Sequence, residues 1–252
     1  MEEKDRIKVC LICCIGLDFD LDYLPHFTKH YGGLDIDEFK FILQSGVSIE
    51  KEKVLEQIRP LLGTIYLKSS FTFWEGVFHY SPKTKKFNEI ISTSGERIYI
   101  LTDIDEFQVW ENSIYSTFRQ NIGKVVWGRV RDRESPDKTL TKIVKDIDID
   151  KQFPLYTNRS CWPDDLAYKP VAFSNIHIIG SPHDLSTVNK FKDIDSGATV
   201  IPIDHYRWSD SRIPKMKLRK KTYGGRLNSP HVWDSKKILD TFINDNNKKT
   251  IL

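Results

Sequence analysis

Apolar residues fall in near-continuous runs at Ile7 to Cys14 and at Ile98 to Leu101, and between them the chain alternates between extended and helical patterning. Such runs predict strands covered on both faces, as in parallel sheets flanked by helices. Asp22 to His30 predicts a helix that stops at Gly32-Gly33, and Phe39 to Leu43 predicts a second strand, giving a βαβ opening. Ser48 precedes a segment, Glu50 to Leu62, with acids in its first turn and an apolar stripe at Val54, Leu55, Ile58, Leu61 and Leu62. That is a second helix. Thr64 to Leu67 is expected to form a third short strand.

From Lys68 to Glu96 the periodicity weakens, with Phe71, Phe73, Trp74, Phe78 and Tyr80 in a loop-like setting before a short helix expected at Phe87 to Ile91. These aromatics suit a satellite core, with a sugar-stacking face as the alternative. Further on, Ser113 to Asn121 predicts a helix, and Lys124 to Arg131 an alternating strand packed through Val125, Trp127 and Val130. Strand signals return at Val171 to Phe173, Ile176 to Ile179 and Thr199 to Ile203. No internal repeat or linker divides the chain, so one α/β domain is expected.

Composition narrows the classes. With 252 residues, 39% apolar and 12% aromatic, the chain has the makings of a folded core. Its net charge of +3, from 38 basic and 35 acidic residues, is too balanced for bulk nucleic-acid binding. No apolar run approaches the ~20 residues of a membrane span, and Met1 to Lys8 is charged rather than signal-like. The expectation is a cytoplasmic protein without a transmembrane segment, with peripheral membrane association left open. Cys10, Cys13 and Cys14 sit within the first strand and Cys161 stands apart, so buried thiols are expected rather than disulfides or a metal half-site.

Candidate chemistry centres on Asp103 and Asp105, which directly follow the strand Ile98 to Thr102. Alternate residues of an extended segment face one side, and hard carboxylate oxygens select Mg²⁺ or Mn²⁺, ions that share their shell with substrate phosphates. Asp-x-Asp recurs elsewhere, as at Asp18/Asp20, Asp35/Asp37 and Asp193/Asp195, but only the copy at 103 ends an apolar, β-branched run. The carboxyl end of a strand is where open α/β sheets bind ligands. A basic run, Lys215, Lys217, Arg219, Lys220, Lys221 and Arg226, suits either a solvated helix face or a lid that brings Lys215 and Lys217 to donor phosphates.

The order of several motifs carries a resemblance. Val9-Cys10-Leu11-Ile12-Cys13-Cys14 is followed by Tyr23-Leu24-Pro25-His26-Phe27, Asp103-Ile104-Asp105-Glu106-Phe107 and Gly128-Arg129-Val130-Arg131-Asp132-Arg133. Then come Gln152-Phe153-Pro154, Gly180-Ser181-Pro182-His183-Asp184 and His205-Tyr206-Arg207-Trp208. In this order the chain resembles GT-A fold glycosyltransferases, in particular bacterial family-2-like enzymes with an Asp-x-Asp-Glu-Phe motif. The resemblance implies a single GT-A-like α/β domain with a mostly parallel central sheet flanked by helices. Residues 1–107 would bind a nucleotide-sugar donor, 108–223 a glycan or other hydroxyl acceptor, and 224–252 would form a tail.

It also implies Mn²⁺ or Mg²⁺ on Asp103 and Asp105, with His205, or else His183, completing the shell, and a place in surface polysaccharide synthesis. An inverting transfer needs a carboxylate to accept the acceptor proton, and Asp132, then Glu134, is placed for it. Glu106 would support the loop and Phe107 would anchor it. The Asn-Glu pair that many relatives carry after the first strand is missing: Ile15-Gly16-Leu17-Asp18-Phe19-Asp20 stands there, and Asp18 and Asp20 suit a helix-start role better than a nucleobase contact.

Three other readings compete. A haloacid-dehalogenase-type phosphatase would begin with its Asp-x-Asp and rarely has Phe at the position of Phe107. A nucleotidyltransferase would carry a Gly-rich loop followed by Lys, which is missing here. A catalytically weak glycan- or nucleotide-binding protein on the same fold would tolerate the absent Asn-Glu pair.

Overall fold

The structure is a computed structural model that describes residues 7–120, 124–156, 167–174, 177–181, 183–212, 214–215 and 217–218. In chain order the elements begin β1 (Val9–Gly16), α1 (Leu24–Tyr31), β2 (Glu38–Ser45), α2 (Lys51–Leu62), β3 (Ser69–Glu75) and α3 (Tyr80–Ser94). They continue with β4 (Ile98–Asp103), β5 (Glu106–Gln108), α4 (Ile114–Gln120), β6 (Val126–Glu134), α5 (Ile149–Gln152) and β7 (Leu155–Tyr156). Last come β8 (Tyr168–Ser174), β9 (Ile179–Ser181), β10 (Asp184–Leu185), α6 (Lys190–Asp195) and β11 (Val200–His205). Two compact units form, one from described residues within Met1–Arg131 and Trp162–His205, the other within Asp132–Cys161 and Tyr206–Leu252.

The first unit is a mixed α/β body around a large central sheet of order β3-β2-β1-β4-β8-β6-β11-β5, consistent with the GT-A-like fold that the resemblance implies. Its first four strands are parallel, because β1 pairs in parallel with both β2 and β4, and β2 with β3. Strands β8 and β5 add antiparallel pairings. From Val9 to Ile15 no residue of β1 is appreciably exposed, which is why its sequence is uninterruptedly apolar. On one face Cys10, Ile12 and Cys14 pack with Tyr99, Trp127, Phe173 and with Phe87 and Ile91 of α3. Elsewhere in the core Phe27 of α1 lies 6.0 Å from Phe41 of β2.

A curl in the sheet sets up everything that follows. Only Ile104 and Asp105 separate β4 from β5, yet β8, β6 and β11 lie between them in the hydrogen-bonded order. The antiparallel strands therefore bend round until β11 meets the segment that leaves β4. Gly128 permits this bend, since a Cβ there would overlap the side chains of Ile203 on β11 and Val171 on β8.

Sequence expectation and structure differ at three elements. The third strand is not Thr64 to Leu67 but β3; Gly63, at φ +50°, ends α2, and Gly63–Lys68 winds as a 3₁₀ segment with Leu67 exposed. The alternation Ser-Phe-Thr-Phe-Trp is the true strand signal. Helix α3 is far longer than Phe87 to Ile91, running from an N-cap at His79, whose Nδ1 accepts the Ser81 N–H at 3.2 Å, to Gly95 at φ +75°. Its buried stripe is Lys83, Phe87 and Ile91, and a lysine in an apolar position masks the period. Of the strand expected at Ile176 to Ile179 only Ile179 falls in β9, His177 and Ile178 precede it without strand pairing, and Ile176 lies outside the described residues.

In the second unit, Arg133 and Glu134 at the end of β6 pair with Tyr156 and Leu155. The Arg133 guanidinium donates to the Phe153 carbonyl at 3.0 Å and lies 4.3 Å from the centre of the Tyr156 ring. Gln152 fixes a neighbouring turn, donating to the carbonyls of Val144 and Ile147 and accepting the Val144 N–H at 2.8 Å. No helix among the described residues is long and apolar enough to cross a membrane.

Two outcomes follow from this packing. Gly128→Ala should destabilise the protein by about 1–3 kcal/mol in denaturant unfolding, because the overlap is with two packed side chains. Burial pushes the Cys10 thiol up to about 12 and the Cys13 thiol well above its ordinary value. Iodoacetamide at pH 8 should therefore leave Cys10, Cys13 and Cys14 unlabelled in the folded protein and label them after unfolding, as read by peptide mass spectrometry.

Candidate functional site

The carboxyl ends of the parallel strands lie side by side, with Cys14 in register with Asp103. At this end β4 turns through Ile104 and Asp105 into β5, and buried Ile104 and Phe107 anchor the turn from below. Tyr31 of α1 holds it from the side. Its hydroxyl lies 2.9 Å from the Glu106 carbonyl, 3.0 Å from Thr102 Oγ1, and accepts the Gln108 N–H at 3.1 Å. Gln108 in turn donates to the Leu101 carbonyl at 2.6 Å, so both sides of the turn are tied to backbone.

Four charged side chains meet at this tip. Lys83 of α3 donates to Asp103 Oδ1, and Lys169 of β8 lies 2.6 Å from Glu106 Oε2 and 3.9 Å from Asp103 Oδ2. Glu106 Oε2 also accepts the Asp103 N–H at 3.1 Å. Both lysine side chains and that of Glu106 are 6% exposed, whereas Asp103 keeps 34% of its side-chain surface open. Burial opposes the charge on Asp103, but the Lys83 and then the Lys169 ammonium outweigh it and hold the carboxyl well below the usual carboxylate range. Burial likewise lowers Lys83 and Lys169, and the facing carboxylates more than reverse this, so both stay charged.

His205 comes to the same turn from β11. The pairing of β5 with β11 sets His205 opposite Glu106, and its Nε2 lies 3.5 Å from Asp105 Oδ2. Two ligands of one octahedral ion at about 2.1 Å stand about 3 Å apart, so an imidazole and a carboxylate at this spacing fit a hard divalent cation completed by water and phosphate oxygens. Among the described residues no group of three or more His, Cys, Asp or Glu side chains is gathered around one point. Asp103, the first acid of the Asp-x-Asp, is paired with Lys83.

The other expected site residues fall elsewhere. His183 sits in the β9–β10 turn, where its N–H donates to Ser181 Oγ at 3.3 Å, and is not part of such a group. Lys215 and Lys217 belong to the second unit, and Arg219, Lys220, Lys221 and Arg226 lie outside the described residues, as do Cys161 and the tail at 224–252. Asp132 has a side chain at 0% exposure, 2.7 Å from the equally buried Arg207, and Glu134 is buried too. Both carboxylates expected as the base thus lie in enclosed settings, Asp132 against the Arg207 guanidinium.

Asp20 accepts the Gly16 N–H at 3.0 Å, and Asp18 accepts Ser45 Oγ and the Gly46 N–H, each at 3.0 Å, so both acids lock the loops at the ends of β1 and β2. Trp74 belongs to the core and Phe71 lies 6.0 Å from Phe41 across the β2–β3 pair. The lysines were missed because each stands alone in an otherwise apolar stripe. The one available signal was the unbroken four-residue spacing of Lys83, Phe87 and Ile91.

Neither a protein-family model nor a curated protein matches the chain. Among solved structures it is similar to a putative glucose-1-phosphate thymidylyltransferase from Bacillus anthracis, at 9% identity and TM-score 0.40, over 86% of this chain and 96% of that one. A 4-diphosphocytidyl-2C-methyl-D-erythritol synthase matches at 9% identity and TM-score 0.38, over 84% and 99%. TarS of S. aureus matches at 11% identity and TM-score 0.37, over 94% of this chain but 43% of TarS. Likenesses this slight carry no argument about substrate or reaction.

The buried pair of the second unit gives a direct outcome. Arg207→Met removes the cation that faces the buried Asp132 carboxylate and should cost about 3–5 kcal/mol, whereas the double variant Arg207→Met/Asp132→Leu should recover most of that loss in the same denaturant series.

Proposed function

We propose that the chain is a glycosyltransferase that takes a nucleotide-sugar donor, with Mn²⁺ or Mg²⁺, and passes the sugar to a glycan or other hydroxyl acceptor. The observation that supports this best is the β4–β5 turn, where Asp105 and His205 stand 3.5 Å apart at the carboxyl end of the parallel strands. Asp105 and His205 would hold the cation, and Asp103 would border it from the lysine side. When bound, the ion offsets charge gathering on the departing nucleoside diphosphate. Tyr31, Thr102 and Gln108 keep the turn from moving as charge shifts, which is preorganisation rather than contact.

A donor-binding role for residues 1–107 and an acceptor role for 108–223 belong to this proposal. Nucleotidyl transfer is the second reading, favoured by the two ammoniums at the tip, since a triphosphate brings more charge than a diphosphate. It predicts pyrophosphate release from a nucleoside triphosphate and a sugar 1-phosphate.

Calorimetric titration with a panel of nucleotide sugars and Mn²⁺ tests the proposal. Metal-dependent binding with slow donor hydrolysis is expected in the parent protein. Asp105→Asn should lower turnover by about 10²-fold or more with an unchanged melting temperature. Binding indifferent to metal, or full turnover in Asp105→Asn, would refute it.

A further inference from the structure

Two lysine ammoniums are enclosed at the tip of β4 with fewer acceptors than they have protons to donate. Each ammonium carries three N–H donors. Among the described residues, Lys83 Nζ has one hydrogen-bond acceptor, Asp103 Oδ1, and is otherwise flanked by the rings of Phe78 at 5.8 Å and Phe87 at 5.3 Å. Lys169 Nζ likewise has one, Glu106 Oε2, with Asp103 Oδ2 beyond hydrogen-bond reach at 3.9 Å. A buried cation left short of acceptors is costly, and here two converge on the same partly open carboxylate. Further oxygen acceptors reaching these ammoniums from the side on which Asp103 is open would complete them, and phosphoryl oxygens are such acceptors.

We propose that Lys83 and Lys169 form an anion-binding pair at the end of β4 that accepts phosphoryl oxygens of the donor, so that the protein supplies cations of its own beside any divalent ion. That the anion is a nucleoside diphosphate rests on the transferase reading above; that the pair binds a diphosphate group does not. Asp103 then orients Lys83 toward the ligand, and Glu106 orients Lys169. The arrangement accounts for the first acid of the Asp-x-Asp being spent on a lysine.

The test is calorimetric binding of inorganic pyrophosphate and of UDP, each in EDTA and in Mn²⁺, to the parent protein, Lys83→Met, Lys83→Arg and Lys169→Met, with melting curves to confirm folding. The parent should bind pyrophosphate in EDTA. Lys83→Met should weaken binding of both ligands by about tenfold or more in either medium, and Lys83→Arg should recover most of it. Should Lys83→Met not fold, Lys169→Met carries the same expectation.

No pyrophosphate binding in EDTA, or parent-like affinity in the folded methionine variants, overturns the inference. If UDP binds only with Mn²⁺ and ignores Lys83→Met, the inference fails while the transferase reading stands. If pyrophosphate binds through the lysines but no nucleoside diphosphate binds in either medium, the anion site stands and the transferase reading fails.

Discussion

The joining of Lys83 and Lys169 to Asp103 and Glu106 is the interaction on which the tip of the sheet depends. It ties helix α3, strand β8 and the end of β4 to the start of β5, elements that meet only once the sheet has formed. Burying the charges of Lys83, Lys169 and Glu106 costs more than burying three hydrophobes, and an ion pair in such a place adds little net stability. Its consequence is positional. Each carboxylate has a fixed direction, and the open side of Asp103 is left facing outward at the strand end.

The curl of the sheet turns this local cluster into a candidate site. A two-residue turn cannot by itself bring a distant histidine to Asp105. The run β8-β6-β11 does so by bending back to pair with β5, which needs strands packed as closely as the absence of a side chain at Gly128 allows. The Asp105–His205 contact therefore has the whole antiparallel half of the sheet behind it. The turn itself is held by Tyr31 and Gln108, through bonds to the Glu106 carbonyl, the Gln108 N–H and the Leu101 carbonyl.

Much of the parallel half was legible along the chain, because strands covered on both faces have little choice but to be apolar, and β1, β2 and β4 fall close to their expected places. Helices α1 and α2 showed their stripes. Where the pattern misled, the causes were specific: Gly63 ended a helix and delayed the strand, and Lys83 stood where the stripe of α3 asked for a hydrophobe. Asp103 and Asp105 could be singled out because they end an apolar strand. That Asp103 faces a lysine and Asp105 a histidine had no local sign.

The sequence by itself determined the alternation of strands and helices, the acidic turn at the end of β4 and the enclosure of Cys10, Cys13 and Cys14, since each follows from spacing and polarity within a few neighbouring residues. Tertiary structure decided which charges meet: Lys83 with Asp103, Lys169 with Glu106, His205 with Asp105, Arg207 with Asp132. Partners so far apart in the chain share no periodicity. A charge declares only that it needs compensation, and where that compensation comes from is fixed by how strands are ordered in the sheet.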